Sequence, residues 1–329
     1  MDTNIAVETD LEILLDQIRP QAILLDNVIM FPAVAKAGCP WVRIVSCAET
    51  EIPDPNVPPY LSGLSPGALQ DCQAFRKAYS NSTRAAHQRY NAFRKARGLA
   101  QLAEGVFLES SEHLNVLLAP NAVRYDRANR LPPESYVYLD GCVRQEAQFE
   151  SPEFPVADGP LVYTSFGSLG AISTDLIQKM IDTFATIPAR FIVNVGGFED
   201  RYDHIPDNVH LGNWFPQPSV VAKAALFIHH GGNNSFCEAL YHGVPSLNMP
   251  YCWDGHDNAQ RAQARGVGRC IQRANWTAET LTEAIAGLLK DADMHIRLKT
   301  ISRQMQANSG TDLAAQAILA SVVSSPTPA

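Results

Sequence analysis

Short apolar runs alternate along this chain with longer stretches whose apolar residues recur at helical spacing. That alternation predicts an α/β protein built on parallel sheets, each buried strand followed by a covering helix. Residues 11–18 read as a helix stopped by Pro20, and 22–25 as a buried strand ending at Asp26. A helix at 34–38 and a strand at 41–46 follow, then a loop at 53–66 whose prolines remove donors and forbid a regular element. One long helical region covers 67–97, and strands are expected at 114–118 and 136–139. Residues 150–160 carry Pro152, Pro155, Gly159 and Pro160 without periodicity, the composition of a linker. A second βα series follows, with strands at 161–165, 190–195, 226–229 and 246–249. Its helices are expected at 175–185, 235–242, 258–265, 278–289, 291–306 and 311–322, before a frayed tail at 324–329. The domain reading is 1–145, a linker at 146–158, a second domain at 159–305, and a terminal helix and tail at 306–329.

In the long helix, Arg76, Lys77, Arg84, Arg94 and Lys95 share one arc at about 100° per residue, and Phe75, Tyr79, Tyr90 and Phe93 another. Two readings follow: a solvated face opposite a core stripe, or a basic strip touching an anionic membrane.

Composition narrows the class. With 46% hydrophobic and 18% charged residues, the 329-residue chain is no disordered protein. Twenty-six Lys and Arg against 34 Asp and Glu give −8, a balance that argues against coating nucleic acid. The seven cysteines are odd in number and form no C-x-x-C pair, as expected of reduced, scattered thiols. No apolar run reaches the ~18 residues of a membrane span, and the N-terminus lacks the pattern of a signal peptide. These features predict a cytoplasmic protein.

The richest chemistry lies between Trp214 and Gly255. An apolar strand ends at His229-His230, Gly231-Gly232 permits a tight turn, and Asn233, Asn234 and Ser235 are helix-starting residue types. A helix N-terminus behind a glycine turn at a strand's carboxyl end is an anion site. His230 adds a donor to phosphate oxygen, Glu238 one turn on suits paired ribose hydroxyls, and Trp214 offers a flat face for a base. A second glycine turn, Ser165 to Gly170 with Gly167 and Ser168, follows the first strand of this half and could present amides from the other side. Strand-end loops of one parallel sheet meet at its carboxyl edge. The His229-His230 pair has no carboxylate or cysteine at ligand spacing, so no metal is expected.

The segment from Trp214 to Ala259 closely resembles the nucleotide-sugar signature of the family 1 UDP-glycosyltransferases, and a weaker likeness runs from about Ile13 to Val322. The resemblance implies the GT-B fold, two Rossmann-like domains with parallel sheets. It implies that Trp214 stacks on the base and Gln217 holds base or ribose. His230, Gly232, Asn233, Asn234 and Ser235 would surround the diphosphate, Gly167 and Ser168 would approach it, and Glu238 would bind ribose. Residues 129–144 and the run from Asp257 to Arg261 are weakly similar to bacterial transferases that glycosylate phenolic glycolipids.

Departures from the family are informative. Asn233 stands where plant members have a tryptophan. The acid–glutamine pair that holds the donor sugar reads Asp254-Gly255, leaving His256 or Asp257 as candidate substitutes. The family's catalytic base is a histidine on the first loop of the N-terminal domain, oriented by an aspartate that Asp26 matches. No histidine precedes His87. The resemblance therefore implies a further ~100 residues of βα units upstream, and an N-terminal sheet whose open edge favours dimers.

The expected activity is inverting transfer of a hexose from a UDP- or dTDP-sugar to a hydroxyl of an apolar small molecule or lipid, with no cofactor. The rival readings are an inactive auxiliary subunit of a complete transferase and a nucleotide-sugar epimerase on the same scaffold.

Overall fold

The computed structural model describes residues 2–155, 159–170 and 172–323, apart from the side chain of Ser168. The chain divides into two compact units, each with its own parallel sheet.

The first unit comprises residues 1–59, 66–139 and 310–329. Strands β1 (Ile23–Leu25), β2 (Trp41–Val45), β3 (Leu114–Leu117) and β4 (Tyr136–Tyr138) pair in chain order, all parallel. Around them lie α1 (Asp2–Ile18), α2 (Pro32–Ala35) and α3 (Leu69–Ala96). Helix α1 starts well before the expected residue 11 for a polar reason. Glu8 is fully buried and its Oε1 accepts the Ala33 N–H at 2.6 Å, a contact invisible to a hydrophobic pattern.

The basic arc of α3 is broken. Arg94 is buried, forking onto both oxygens of Glu109 at 2.9 and 3.1 Å while its Nε donates to the Ala100 carbonyl. Arg76, Lys77, Arg84 and Lys95 are exposed, and of the aromatic arc Tyr90 is fully buried. Two further buried pairs, Arg43–Glu51 and Arg127–Glu49, tie the loop after β2 to the sheet. Ile13 and Ile18 of α1, Leu24 of β1 and Val28 are each at least half exposed, and β1 is an outer strand of the sheet.

The second unit comprises residues 60–65 and 140–309. Its strands are β5 (Leu161–Ser165), β6 (Arg190–Asn194), β7 (Val209–Gly212), β8 (Leu226–His229), β9 (Ser246–Asn248) and β10 (Gly268–Cys270). They run in the order β10-β9-β8-β5-β6-β7, all parallel. The chain winds outward from β5 in one direction and from β8 in the other. The crevice where such a sheet binds ligands therefore lies at the carboxyl ends of β5 and β8. Covering helices are α4 (Gly167–Gly170), α5 (Thr174–Phe184), α6 (Gln217–Val221), α7 (Asn233–His242), α8 (Gly255–Ala264), α9 (Ala278–Lys290) and α10 (Ala292–Gln306). Stacked rings fill the core, Phe184 on Phe191 at 4.0 Å and Tyr163 on Phe227 at 5.1 Å. Strands β7 and β10 escape the apolar pattern because they are short outer strands carrying His210 and Arg269.

The segment expected as a linker, 146–158, is no free tether in its described part. Phe149 and Phe154 are buried against Tyr163, Phe227 and Val220, and Lys223 donates to the Phe149 carbonyl. Apolar anchors spaced five residues apart among prolines show neither helical nor strand periodicity, so the pattern hides them. Residues 156–158 and the expected tail at 324–329 lie outside the described residues.

The last helix, α11 (Gly310–Val323), packs against β3 and is part of the first unit. Among the described residues no helix is long and apolar enough to cross a membrane.

Candidate nucleotide-sugar site

The site is assembled by two turns on neighbouring strands. Parallel pairing sets Ser165 beside His229, so the turns that follow β5 and β8 emerge side by side. The first takes Gly167 to φ +67°, and a Cβ there would sit 3.3 Å from the His230 ring. Ser168 belongs to the same turn, and its side chain lies outside the described residues.

At the second turn Gly231 adopts φ +87°, and any Cβ would meet the Gly255 carbonyl oxygen at 2.4 Å. Only glycine tolerates both demands. A Cβ on Gly255 would in turn strike the His230 carbonyl oxygen at 2.5 Å. This explains the departure at Asp254-Gly255: the start of α8 packs too closely on the His230–Gly231 backbone for a glutamine at 255.

Gly232 caps α7. The Asn233 N–H is taken by Asp254 Oδ2 at 3.0 Å, which also accepts from Asn258 Nδ2 at 3.1 Å. Asp254 thus ties the starts of α7 and α8 together. The next two amides of the first turn, those of Asn234 and Ser235, have no acceptor among the described residues. Orphan amides at a helix N-terminus are an anion's natural partners.

His230 packs against Tyr251, ring centroids 5.5 Å apart, and its Nδ1 has no partner among the described residues. Burial and the nearby Arg273 charge push its pKa down to about 4, so it is a neutral donor or acceptor near pH 7. His229 is completely buried. Its Nδ1 accepts the Gly231 N–H at 3.0 Å, which fixes the turn.

Gln217, at the start of α6, donates through Nε2 to Ser235 Oγ at 3.2 Å and to Glu238 Oε2 at 2.7 Å. The other Glu238 oxygen accepts from Arg144 Nη1. The Glu238 side chain is 3% exposed and that of Arg144 47%. Burial raises the Glu238 carboxyl above its ordinary range, while Gln217 and Arg144 pull it back. Trp214, three residues before Gln217, is 66% exposed.

Of the expected substitutes for the sugar-holding glutamine, Asp257 is otherwise engaged. Asp257 is buried and its two oxygens accept the Leu61 and Gly63 N–H groups, both at 2.8 Å. It pins the 60–65 strap, and His256 packs its Cβ on Gly63. Trp253, next to Asp254, is 64% exposed with φ +47°.

Asp26 lies in the first unit at the end of β1, exposed, and accepts from Ser46 Oγ at 2.6 Å. Gly167, Gln217, His230, Gly232, Asn233, Asn234, Ser235, Glu238, Asp254 and Gly255 all gather at the carboxyl edge of the second unit's sheet. Arg144 was missed as a partner of Glu238, because 94 positions separate the two and no local spacing links them.

Residues 178–324 match a family described as the C-terminal domain of erythromycin biosynthesis protein CIII-like proteins. The oleandomycin glycosyltransferase of Streptomyces antibioticus is 26% identical over 238 residues, 71% of this chain and 55% of that protein. Human UDP-glucuronosyltransferase 3A1 is 32% identical over 183 residues, 51% of this chain and 34% of that protein. The chain is similar to these glycosyltransferases. Its fold is GT-B. The solved structure of CalG4, the calicheamicin glycosyltransferase, superposes with a TM-score of 0.76 at 19% identity, covering 98% of this chain and 78% of that one. The glycosyltransferase of kitacinnamycin gives 0.74 at 21% identity, covering 97% and 80%. The matched part spans about half the length of the oleandomycin enzyme and a third of the human one.

Proposed function

We propose that this chain is a family 1 glycosyltransferase that binds a UDP- or dTDP-sugar in its second unit and serves inverting transfer of the sugar to a hydroxyl of an apolar acceptor. One observation carries the reading. The two glycine turns, the orphan amides of Asn234 and Ser235, His230, and the Gln217–Glu238 pair converge on one sheet edge. In this reading the base lies on Trp214 and the ribose hydroxyls bond Glu238. The diphosphate faces the start of α7.

Transfer breaks the bond between the anomeric carbon and the diphosphate while the acceptor oxygen attacks from the opposite face. The amides stabilise the charge that collects on the leaving group. The acceptor proton passes to a base, and Asp26 is the residue to which the resemblance gives the role of orienting it. Relatives named for oleandomycin and for calicheamicin support a bulky, hydroxylated, apolar acceptor. Neighbouring structures solved with thymidine diphosphate keep dTDP beside UDP as donor nucleotide.

The test is a transfer assay. The chain is incubated with UDP-glucose or a dTDP-hexose and a panel of macrolide and phenolic acceptors, and products are read by mass. An adduct one hexose heavier, of inverted anomeric configuration, supports the reading. Free sugar-nucleotide isomer without acceptor would point to an epimerase. Transfer only after addition of a second polypeptide would point to an auxiliary subunit.

A further inference from the structure

Arg273 lies in the loop after β10, outside every residue that the resemblance assigns to the donor. Its guanidinium carbon is 4.6 Å from the centroid of the Tyr251 ring and 5.3 Å from that of Phe166. Its one hydrogen bond among the described residues, Nη2 to the Gly170 carbonyl, is long at 3.5 Å. These contacts place it beside the turn after β5, with His230 against the same Tyr251 ring.

No carboxylate among the described residues pairs with it. The contrast within the same chain is sharp, since Arg43, Arg94, Arg127 and Arg144 each rest on a glutamate. Arg273 is partly buried, and lost hydration pushes its pKa down, with Tyr251 and Cys252 offsetting only part of the shift. Ring faces attract a guanidinium, but they leave most of its five N–H donors unused.

His230 sharpens the point. As a neutral imidazole it brings a hydrogen bond to the site and no charge. The amides of Asn234 and Ser235 bring partial charge only. A departing nucleoside diphosphate carries full negative charge, and a planar guanidinium matches phosphate oxygens two at a time.

We infer that Arg273, held flat against Tyr251 and Phe166, supplies the full positive charge that faces the donor's diphosphate. This deepens the donor-site reading and rests on it. The rings act as a rigid mount, so little side-chain freedom is lost when phosphate arrives.

The test is calorimetric titration of the full chain and of Arg273→Met and Arg273→Lys with uridine, UMP and UDP, at low and moderate salt. Arg273→Met is expected to lose about tenfold or more in UDP affinity, less for UMP, and little for uridine. Arg273→Lys keeps the charge and recovers part of the loss. The salt dependence of UDP binding should weaken in Arg273→Met alone. Unchanged UDP affinity in Arg273→Met would overturn the inference. So would an equal loss for uridine, which would mark Arg273 as a mere strut for the rings. A wild-type chain that binds neither UDP nor uridine would overturn the donor-site reading itself, and the inference with it. Should Arg273→Met fail to fold, an Arg273→Lys variant with wild-type salt dependence and a graded loss from uridine to UDP still supports the claim; one with no graded loss overturns it.

Discussion

Replacing Arg144 by methionine leaves Glu238 with one donor where it had two. The Glu238 side chain is 3% exposed, so its charge depends on the partners it has. Removing one partner of a fully buried ion pair costs ~3–5 kcal/mol. Arg144 is itself 47% exposed, and its interaction is therefore screened toward the ~0–1 kcal/mol of surface pairs. An intermediate loss of ~1–2 kcal/mol follows, or about 2–8 °C in melting temperature for a unit of this size. The loss should depend on pH with a definite sign. Burial already holds the folded-state pKa of Glu238 above its ordinary 4.5. Without Arg144 it rises further, so folding takes up a proton that the unfolded chain has released. The deficit is then full above the folded pKa and fades as pH falls toward the unfolded value. Thermal unfolding of wild type and Arg144→Met at about pH 8 and about pH 5 measures it. An equal deficit at both pH values, or none at the higher, would refute the argument that a buried carboxylate is held ionised by this arginine.

Three further outcomes are expected. Gly231→Ala must leave φ +87° and clear the Gly255 carbonyl, so a loss of ~2–4 kcal/mol is expected together with weakened nucleotide binding; a melt within a degree of wild type would contradict it. Burial lowers the pKa of His229 and of His230, so the folded state resists protons that the unfolded chain accepts; stability should fall as pH drops from about 6.5 toward 4, and His230→Asn should flatten that slope in chemical denaturation. The chain is expected to self-associate through the β1 edge and its exposed Leu24 and Ile18; light scattering that shows a monomer for wild type, or the same dimer for Leu24→Lys, would rule that out.

The fold was largely legible because its physics is local. Buried strands such as 226–229 and glycine turns such as 231–232 announce themselves by composition, and the start of α7 by its run of Asn and Ser. That the candidate residues of the second unit meet at one sheet edge was legible for the same reason, since they cluster in sequence around two turns. What escaped is held by contacts distant in sequence. Glu8 supports α2, Arg94 is buried by Glu109, and Arg144 reaches Glu238, each through polar pairing that no periodicity encodes. The misreading of 146–158 has the opposite origin: prolines suggested a tether, while Phe149 and Phe154 bind it to the core. Asp257 shows that sequence position near a site does not make a ligand, because its carboxylate is spent on the 60–65 strap.

The central claim is that the second unit is a nucleoside-diphosphate site organised on Glu238 and the start of α7. Calorimetric titration of the chain with UDP and dTDP, beside Glu238→Ala, addresses it most directly. One-site binding by the wild type, lost in Glu238→Ala while the variant still melts cooperatively, is the predicted result. A folded wild-type chain that binds neither nucleotide, or a Glu238→Ala chain that binds as well, would contradict it.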